Sequence, residues 1–223
     1  MMPFPGGVEN IANGTLIFSV LLSVFYGMIV HRPPSLRRTI VKTGSVVLLA
    51  VLAAVEGGPA LLVAALALSA IGDACLAQDG ERAFLAGLAS FLLAHVAYVA
   101  LFWTTGGGID EIFSQPSRIV IALALLAAVG LILSRLWPAI EAAMRPPVAL
   151  YCVAILAMGI ASLSDLGPAV VAGAVLFMAS DAILAAGRFL VPDDDPRQGW
   201  MRPLVWLLYY MSQLVLTLSF IAG

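Results

Sequence analysis

Two aspartates stand inside long apolar segments of this 223-residue chain. Asp73 lies about four residues before the end of its segment, and Asp181 lies seven residues before the Arg188 that ends another. At the rise of an α-helix these positions are ~6 Å and ~10 Å inside a span. An ionisable residue within a membrane span is costly, and it usually faces the helix bundle or a water-filled cavity. The two aspartates are therefore the first candidates for chemistry.

Further polar and aromatic side chains are expected in the same layer, because helical spacing places them on the faces that carry or oppose the aspartates. We take them as candidates for orienting the aspartates, a substrate or water. Alternative roles stay open for all of them: an aspartate can anchor two helices, a histidine can be a satisfied core residue, and tyrosine or glutamine can join helices. The candidates are His95, Tyr98, Tyr151, Phe177, Tyr209, Tyr210 and Gln213.

Two buried carboxyl groups permit acid and base catalysis. Burial disfavours the charged form of a carboxyl group, and a second carboxyl nearby separates the proton steps of the pair. One aspartate can then act as a neutral general acid while the other acts as a base or an electrostatic stabiliser. Glycosidases divide the work in this way around an oxocarbenium-like state. A vinyl ether breaks by related chemistry that requires neither a metal nor a nucleotide, so we expect no cofactor.

The composition predicts the elements that hold these residues. Hydrophobic residues make up 62% of the chain and charged residues only 11%, whereas soluble domains carry about 25% charged residues. A span needs about 20 apolar residues, and turn or charge signals divide the chain into eight such segments. We therefore predict an all-α membrane protein, with a single polytopic domain over 1–223 and a bundle of eight transmembrane helices. The segments lie near 11–30, 39–55, 59–77, 83–103, 117–136, 147–163, 168–188 and 203–222.

The basic residues predict an orientation. With eight spans, ten of the 11 Lys and Arg residues fall on one side, and only Arg118 falls on the other. The positive-inside rule makes the basic side cytoplasmic, so both termini are predicted outside the cytoplasm of a bacterial inner (plasma) membrane. Arg32 and Lys42 lie at the first basic loop, where they are either topology charges or contacts for a lipid headgroup. The net charge of −2 is too small to favour nucleic acid as a partner.

A short repeat occurs at a spacing of four spans. The run 72–77 reads GDACLA, and the run 180–185 reads SDAILA. Both helices are predicted to run in the same direction, which indicates two parallel four-helix halves of the kind found in some transporters. A coincidence within an alanine-rich chain is the alternative.

These residues, in this order, resemble the lysoplasmalogenase or YhhN-like family of membrane proteins. The resemblance runs from about residue 32 to 213, and the combined order and spacing of its short motifs make it fairly specific. Thr43 departs from it, because a proline is expected after the lysine. The residues that carry it are Arg32-Pro33, Lys42, Gly72-Asp73, Leu76, Phe84, Gly87, Phe91, His95, Tyr98, Tyr151, Met158, Gly173, Phe177, Ser180-Asp181, Leu184-Ala185, Phe189, Tyr209-Tyr210 and Gln213.

The resemblance implies an ether-bond hydrolase of eight spans. It would cleave the vinyl-ether bond of lysoplasmalogens to a fatty aldehyde and a glycerophospho-headgroup, with Asp73 and Asp181 as the acid and base pair. The expected partners are a lysophospholipid substrate and membrane lipid, with no obligate protein partner evident. Two rivals use the same buried layer: a proton-coupled transporter of small molecules or lipids, and a structural protein in which the polar layer only joins helices.

Overall fold

The computed structural model describes residues 3–164 and 166–222. Over these residues the chain forms nine α-helices and two single-turn 3-10 helices, and it forms no β-strand, which confirms the predicted all-α fold. The helices are α1 (Ile11–Ile29), α2 (Leu36–Val55), α3 (Ala60–Leu76), α4 (Glu81–Thr105), α5 (Gly108–Ser114), α6 (Pro116–Leu136), α7 (Arg145–Ala161), α8 (Pro168–Phe189) and α9 (Gln198–Ile221).

The helices have the length and composition of membrane spans. Within the described ranges, seven helical segments are long and apolar enough to cross a membrane, one of them formed by a 3-10 turn together with α7 (Ala142–Ala161), and α3, with 17 residues, is a shorter apolar helix. Helix α6 exposes its apolar side chains most clearly, since Val120, Leu123 and Leu126 are 65%, 59% and 52% exposed. A helix that is apolar on its outer face requires lipid as its solvent. The chain is thus a multi-pass helical membrane protein.

The helices group into two compact units. The first unit runs to Tyr98 and resumes at Gln213, and the second unit is Val99–Ser212. Helices α4 and α9 therefore contribute residues to both units. This division does not follow the four-plus-four pattern suggested by the sequence repeat, so the two parallel halves stay a prediction, as does the single domain.

In the first unit, α2 packs against both α1 and α3. The connection between α2 and α3 is a tight turn in which Gly57 has a φ of 70°, a backbone conformation that glycine adopts without strain. Helices α3 and α4 approach closely at Gly72, where a Cβ atom would lie only 2.6 Å from the ring of Phe91. The small residue thus brings the backbone that carries Asp73 next to α4.

In the second unit, α7 packs against α6 and α8. The sequence predicted only a glycine-rich break before α6, but the structure forms the additional helix α5 there, joined to α6 by an ion pair of 3.2 Å between Arg118 and Glu111. The sequence predicts a last break that extends to Pro203, whereas α9 begins at Gln198 and includes that proline. Pro203 is the sixth residue of α9, past the N–H groups that lack a partner at a helix start, so α9 continues through it without the bond that its missing N–H group would have made.

Candidate active site

Asp73 forms a buried ion pair in the first unit. Its Oδ1 atom lies 3.1 Å from Nζ of Lys42, and the two side chains are 1% and 11% exposed. Helix α2 supplies the lysine and α3 the aspartate, so the packing of these two helices sets the pair. A buried charge is costly unless it is paired. The structure therefore assigns Lys42, which the sequence analysis placed at a lipid headgroup or at the membrane surface, to the aspartate.

Tyr26 and Arg38 surround this pair. The Lys42 ammonium lies 5.9 Å from the centre of the buried Tyr26 ring, and the Arg38 guanidinium lies 5.8 Å from the same ring. Both distances fall within the range of cation–π contacts. Arg38 also donates hydrogen bonds to the carbonyl of Ala77 (3.2 Å) and to the Tyr26 hydroxyl (3.4 Å). Two cations and an aromatic ring thus meet at the end of α3.

A chain of hydrogen bonds links three fully buried side chains of the first unit. The Tyr98 hydroxyl donates to Oε1 of Gln213 at 2.5 Å, and Nε2 of Gln213 donates to Oγ of Ser69 at 3.0 Å. This chain joins α4, α9 and α3, one turn away from Asp73 on α3. In this chain the Gln213 amide oxygen accepts and its nitrogen donates. Gln213 is thereby held in one orientation beside the helix that carries the acid.

His95 is also fully buried in the first unit. Its Nδ1 atom lies 2.6 Å from the carbonyl oxygen of Phe91, one turn earlier in α4. A carbonyl oxygen can only accept, so Nδ1 carries the proton and donates it to this bond. The bond fixes the tautomer and the tilt of the ring. In the neutral form the second ring nitrogen, Nε2, is then the acceptor.

Asp181 accepts a hydrogen bond in the second unit. The Tyr151 hydroxyl, on α7, lies 2.5 Å from Oδ2 of Asp181 on α8, and both residues are half-buried. This distance lies at the short end of the range for hydrogen bonds between oxygen atoms. The two candidate acids thus have unlike partners: Asp73 has an ammonium group, and Asp181 has a phenol.

A cluster of aromatic rings lies on α8 and α9, in the unit that contains Asp181. Phe177 is fully buried one turn before the aspartate, and its ring meets that of Tyr209 edge to face with centroids 5.5 Å apart. Trp206 joins them, with centroid distances of 5.7 Å to Tyr209 and 5.9 Å to Tyr210. This arrangement of α8 and α9 is an apolar wall that positions both tyrosines.

Some candidates are not brought into these groups. Arg32 lies in the exposed connection between α1 and α2. Asp73 and Asp181 belong to different units, so their action on one substrate stays a prediction. Across residues 3–164 and 166–222, no three His, Cys, Asp or Glu side chains are grouped as metal ligands would be.

Comparison with known proteins identifies the family of this helical chain. The model of the YhhN family matches residues 37–220, which is most of the chain. The chain belongs to the YhhN family. The match includes Lys42 and both aspartates, and it confirms the resemblance inferred from the motifs.

Several relatives of this YhhN chain bear the name lysoplasmalogenase. It is 36% identical to human "Lysoplasmalogenase TMEM86B" over 159 residues, 71% of this chain and 62% of the relative. It is 30% identical to the Mycobacterium bovis "Lysoplasmalogenase" over 166 residues, 73% of this chain and 60% of the relative. Human "Lysoplasmalogenase TMEM86A" is 27% identical over 164 residues, 69% of this chain and 62% of the relative. The matched region thus spans less than two thirds of these relatives, and no solved structure matches the chain.

Sequence reasoning missed three residues that contact the candidate groups: Tyr26, Arg38 and Ser69. Arg38 and Lys42 are four residues apart on one face of α2, and this spacing is the signal that could have indicated a shared partner. Tyr26 lies in the last turn of α1, where an aromatic residue is ordinarily read as a membrane-interface anchor. Ser69 lies four residues before Asp73, on the same face of α3. None of these signals indicates which residue of a neighbouring helix each side chain contacts.

Proposed function

We propose that this protein is a membrane hydrolase that cleaves the vinyl-ether bond of lysoplasmalogens, releasing a fatty aldehyde and a glycerophospho-headgroup. The observation that carries the proposal is the contrast between the partners of its two acids. Lys42 lies 3.1 Å from Asp73, and the Tyr151 hydroxyl lies 2.5 Å from Asp181. The names of the relatives supply the substrate class, and the paired acids supply chemistry that fits it.

In the proposed reaction Asp181 is the general acid and Asp73 the ionised partner. Asp181, with Tyr151 at its carboxyl group, gives a proton to the β-carbon of the enol ether, which produces an oxocarbenium ion. The Asp73 carboxylate stabilises this cation and takes a proton from the water that attacks it. The resulting hemiacetal breaks its carbon–oxygen bond to glycerol, and the proton that the glycerol oxygen needs comes from the Asp73 carboxyl group. The hemiacetal hydroxyl proton returns to Asp181, so both acids end in their starting states.

The remaining candidates orient the reactants in this proposal. His95, Tyr98 and Gln213 belong to the unit that holds Asp73, and the hydrogen bonds of Tyr98 and Gln213 hold that amide in one orientation. Phe177, Tyr209 and Tyr210 form the apolar wall of the unit that holds Asp181. Arg32, in the exposed basic connection, attracts the phosphate of the lipid.

Replacing each acid by its amide tests the mechanism. Asp73→Asn and Asp181→Asn keep the side-chain shape but remove the proton transfers, so each is expected to reduce aldehyde release by at least about 100-fold, within the usual range for acid–base groups. Exposed aspartates provide matched controls, Asp79→Asn for the first and Asp194→Asn for the second. Purified protein is incubated with alkenyl, alkyl and acyl lysophospholipids of equal chain length, and aldehyde is quantified by mass spectrometry.

Three results would contradict the proposal. The wild type could leave the alkenyl lipid intact, or it could cleave the acyl lipid equally well. The double variant with both amides could still release aldehyde. Uptake of a solute into proteoliposomes under a pH gradient, without any lipid turnover, would instead favour the transporter.

We propose further that the basic connections face the cytoplasm of a bacterial inner membrane and that both termini lie outside it. The support is the distribution of Lys and Arg, of which only Arg118 falls on the opposite side. Single cysteines introduced at Arg37 and at Asp110, in a variant without Cys75 and Cys152, test the orientation, because both residues are exposed and lie near span ends that are predicted on opposite sides of the membrane. An impermeant maleimide added to whole cells is expected to label the second position and not the first, and the reverse pattern would refute it.

A further inference from the structure

Arg38 carries a charge that no carboxylate of the described residues neutralises. Its guanidinium donates to the carbonyl of Ala77 and to the hydroxyl of Tyr26, and it lies over the Tyr26 ring. Its Nε atom is buried and has no hydrogen-bond partner in residues 3–164 and 166–222. Carbonyl and phenol oxygens leave the net positive charge in place, and a half-buried cation of this kind favours an anionic ligand.

The position of Arg38 suits the phosphate of a membrane lipid. It lies in the first turn of α2, and its contact with Ala77 places it at the last turn of α3, where both helices leave the apolar segment. Guanidinium groups bind phosphate oxygens through two parallel hydrogen bonds, which a lysine cannot reproduce. Lys42 is already engaged by Asp73, and Arg32 is exposed in the loop. Arg38 is therefore the cation of this region that is both partly enclosed and available to an anion.

The spacing between Arg38 and Asp73 matches a lysophospholipid. Lys42, which holds Asp73, lies four residues after Arg38, or ~6 Å further along α2. In a lysoplasmalogen five bonds separate the phosphorus from the ether oxygen of the glycerol, a reach of roughly 6 Å with bonds of about 1.5 Å. A lipid with its phosphate at Arg38 thus brings its ether bond to the level of Asp73.

We propose that Arg38 is the phosphate receptor of the lysophospholipid and sets the preference for phosphorylated lipids. This inference rests on the proposed function only for the position of the scissile bond. The phosphate contact itself depends on the guanidinium and its surroundings in the first unit. Tyr26 and the Ala77 carbonyl position the guanidinium, and the part of the side chain that stays exposed is the part that meets the ligand.

Binding of lipids that cannot be hydrolysed tests the proposal separately from catalysis. The ligands are a 1-O-alkyl lysophosphocholine and the 1-O-alkylglycerol of the same chain length, and their dissociation constants are measured by native mass spectrometry in detergent. Arg38→Gln is expected to weaken binding of the phospholipid by about 10- to 100-fold, as expected for a lost charge-assisted contact. It should leave binding of the alkylglycerol within about twofold, and the exposed neighbour Arg37→Gln should change neither.

Arg38→Lys keeps the charge without the planar fork, and we expect an intermediate loss for the phospholipid alone. Equal losses for both ligands would assign Arg38 a purely structural role and overturn the proposal, as would no loss at all. Competition by glycerol 3-phosphate at similar concentrations would indicate a soluble phosphate ligand and overturn the lipid assignment. A wild type that discriminates between the two lipids through Arg38 but releases no aldehyde from lysoplasmalogen would refute the proposed function and leave this inference intact.

Discussion

Replacing Lys42 with methionine is expected to destabilise the protein, because it leaves the Asp73 carboxylate buried without its cation. Nζ of Lys42 lies 3.1 Å from Oδ1 of Asp73, and the side chains are 11% and 1% exposed. At this separation and an effective dielectric constant of about 20, the Coulomb attraction is about 5 kcal/mol. Removing one partner of a buried pair costs about 3–5 kcal/mol in unfolding free energy. We expect a loss in this range.

The double variant Lys42→Met/Asp73→Leu separates the cost of removing the cation from the net value of the pair. Replacing both members of a buried ion pair by apolar residues is often neutral or stabilising. We therefore expect the double variant to recover most of the stability that Lys42→Met loses, while remaining inactive in aldehyde release. Arg37→Met removes an exposed cation from the same helix, and this control should change the stability by less than about 0.5 kcal/mol.

The assay is reversible unfolding in mixed micelles with an increasing fraction of SDS, followed by the fluorescence of the four tryptophans. Linear extrapolation gives the free energy of each variant. A loss below about 1 kcal/mol for Lys42→Met would mean that the pair is solvated and would refute the reasoning from burial. A double variant that loses stability beyond the single variant would refute the assignment of the loss to the removal of the cation.

Two further predictions concern packing and a loop. Gly72→Ala would place a methyl group 2.6 Å from the Phe91 ring. In the same unfolding assay we expect it to lower the free energy of unfolding by about 1–3 kcal/mol. In the control Gly130→Ala the added methyl group would meet no atom within 4 Å, and this change should stabilise the protein slightly. Hydrogen bonds from Arg197 lower the pKa of Asp195 to about 2. This folded-state pKa lies below the usual value of about 3.9. The ionised Asp195 therefore contributes to the stability of the folded state above about pH 4, and this contribution is lost as the pH falls through about 2. Carboxyl NMR titration should report this pKa, and Arg197→Gln should raise it.

The sequence predicts the helices of this protein well, because each depends on its own apolar run. The break between α2 and α3 follows from Gly57, whose positive φ ends the first helix. Helix α5 escaped prediction because it has only seven residues, and because its contact with α6 through Glu111 and Arg118 cannot be derived from the sequence. The sequence predicts the start of α9 too late, at Pro203, because proline usually ends or kinks a helix, whereas α9 begins five residues earlier and continues through it.

The candidate acids could be predicted, but their partners could not. A carboxylate inside an apolar run is visible in the sequence alone, as Asp73 and Asp181 are. Lys42 was read as a topology charge or a headgroup contact because the sequence contains no information on which side chain of α3 it meets. Tyr26 and Arg38 depend in the same way on the packing of α1 and α3 against α2. Helical periodicity assigns a residue to a face, and the packing of the neighbouring helix decides what that face meets.

The surroundings of the Lys42–Asp73 pair favour a role in binding or chemistry over a role in joining helices. Hydroxyl groups already join the helices of the first unit: Ser19 donates to the carbonyl of Ser45 across α1 and α2 at 2.6 Å, and Ser90 donates to the carbonyl of Leu68 across α4 and α3 at 2.7 Å. Such neutral bonds stabilise helix pairs without moving a charge out of water. A buried ion pair carries a desolvation cost that these bonds avoid. A structural protein would gain by replacing the pair, whereas an acid that must stabilise a cation in its substrate has to retain its charge.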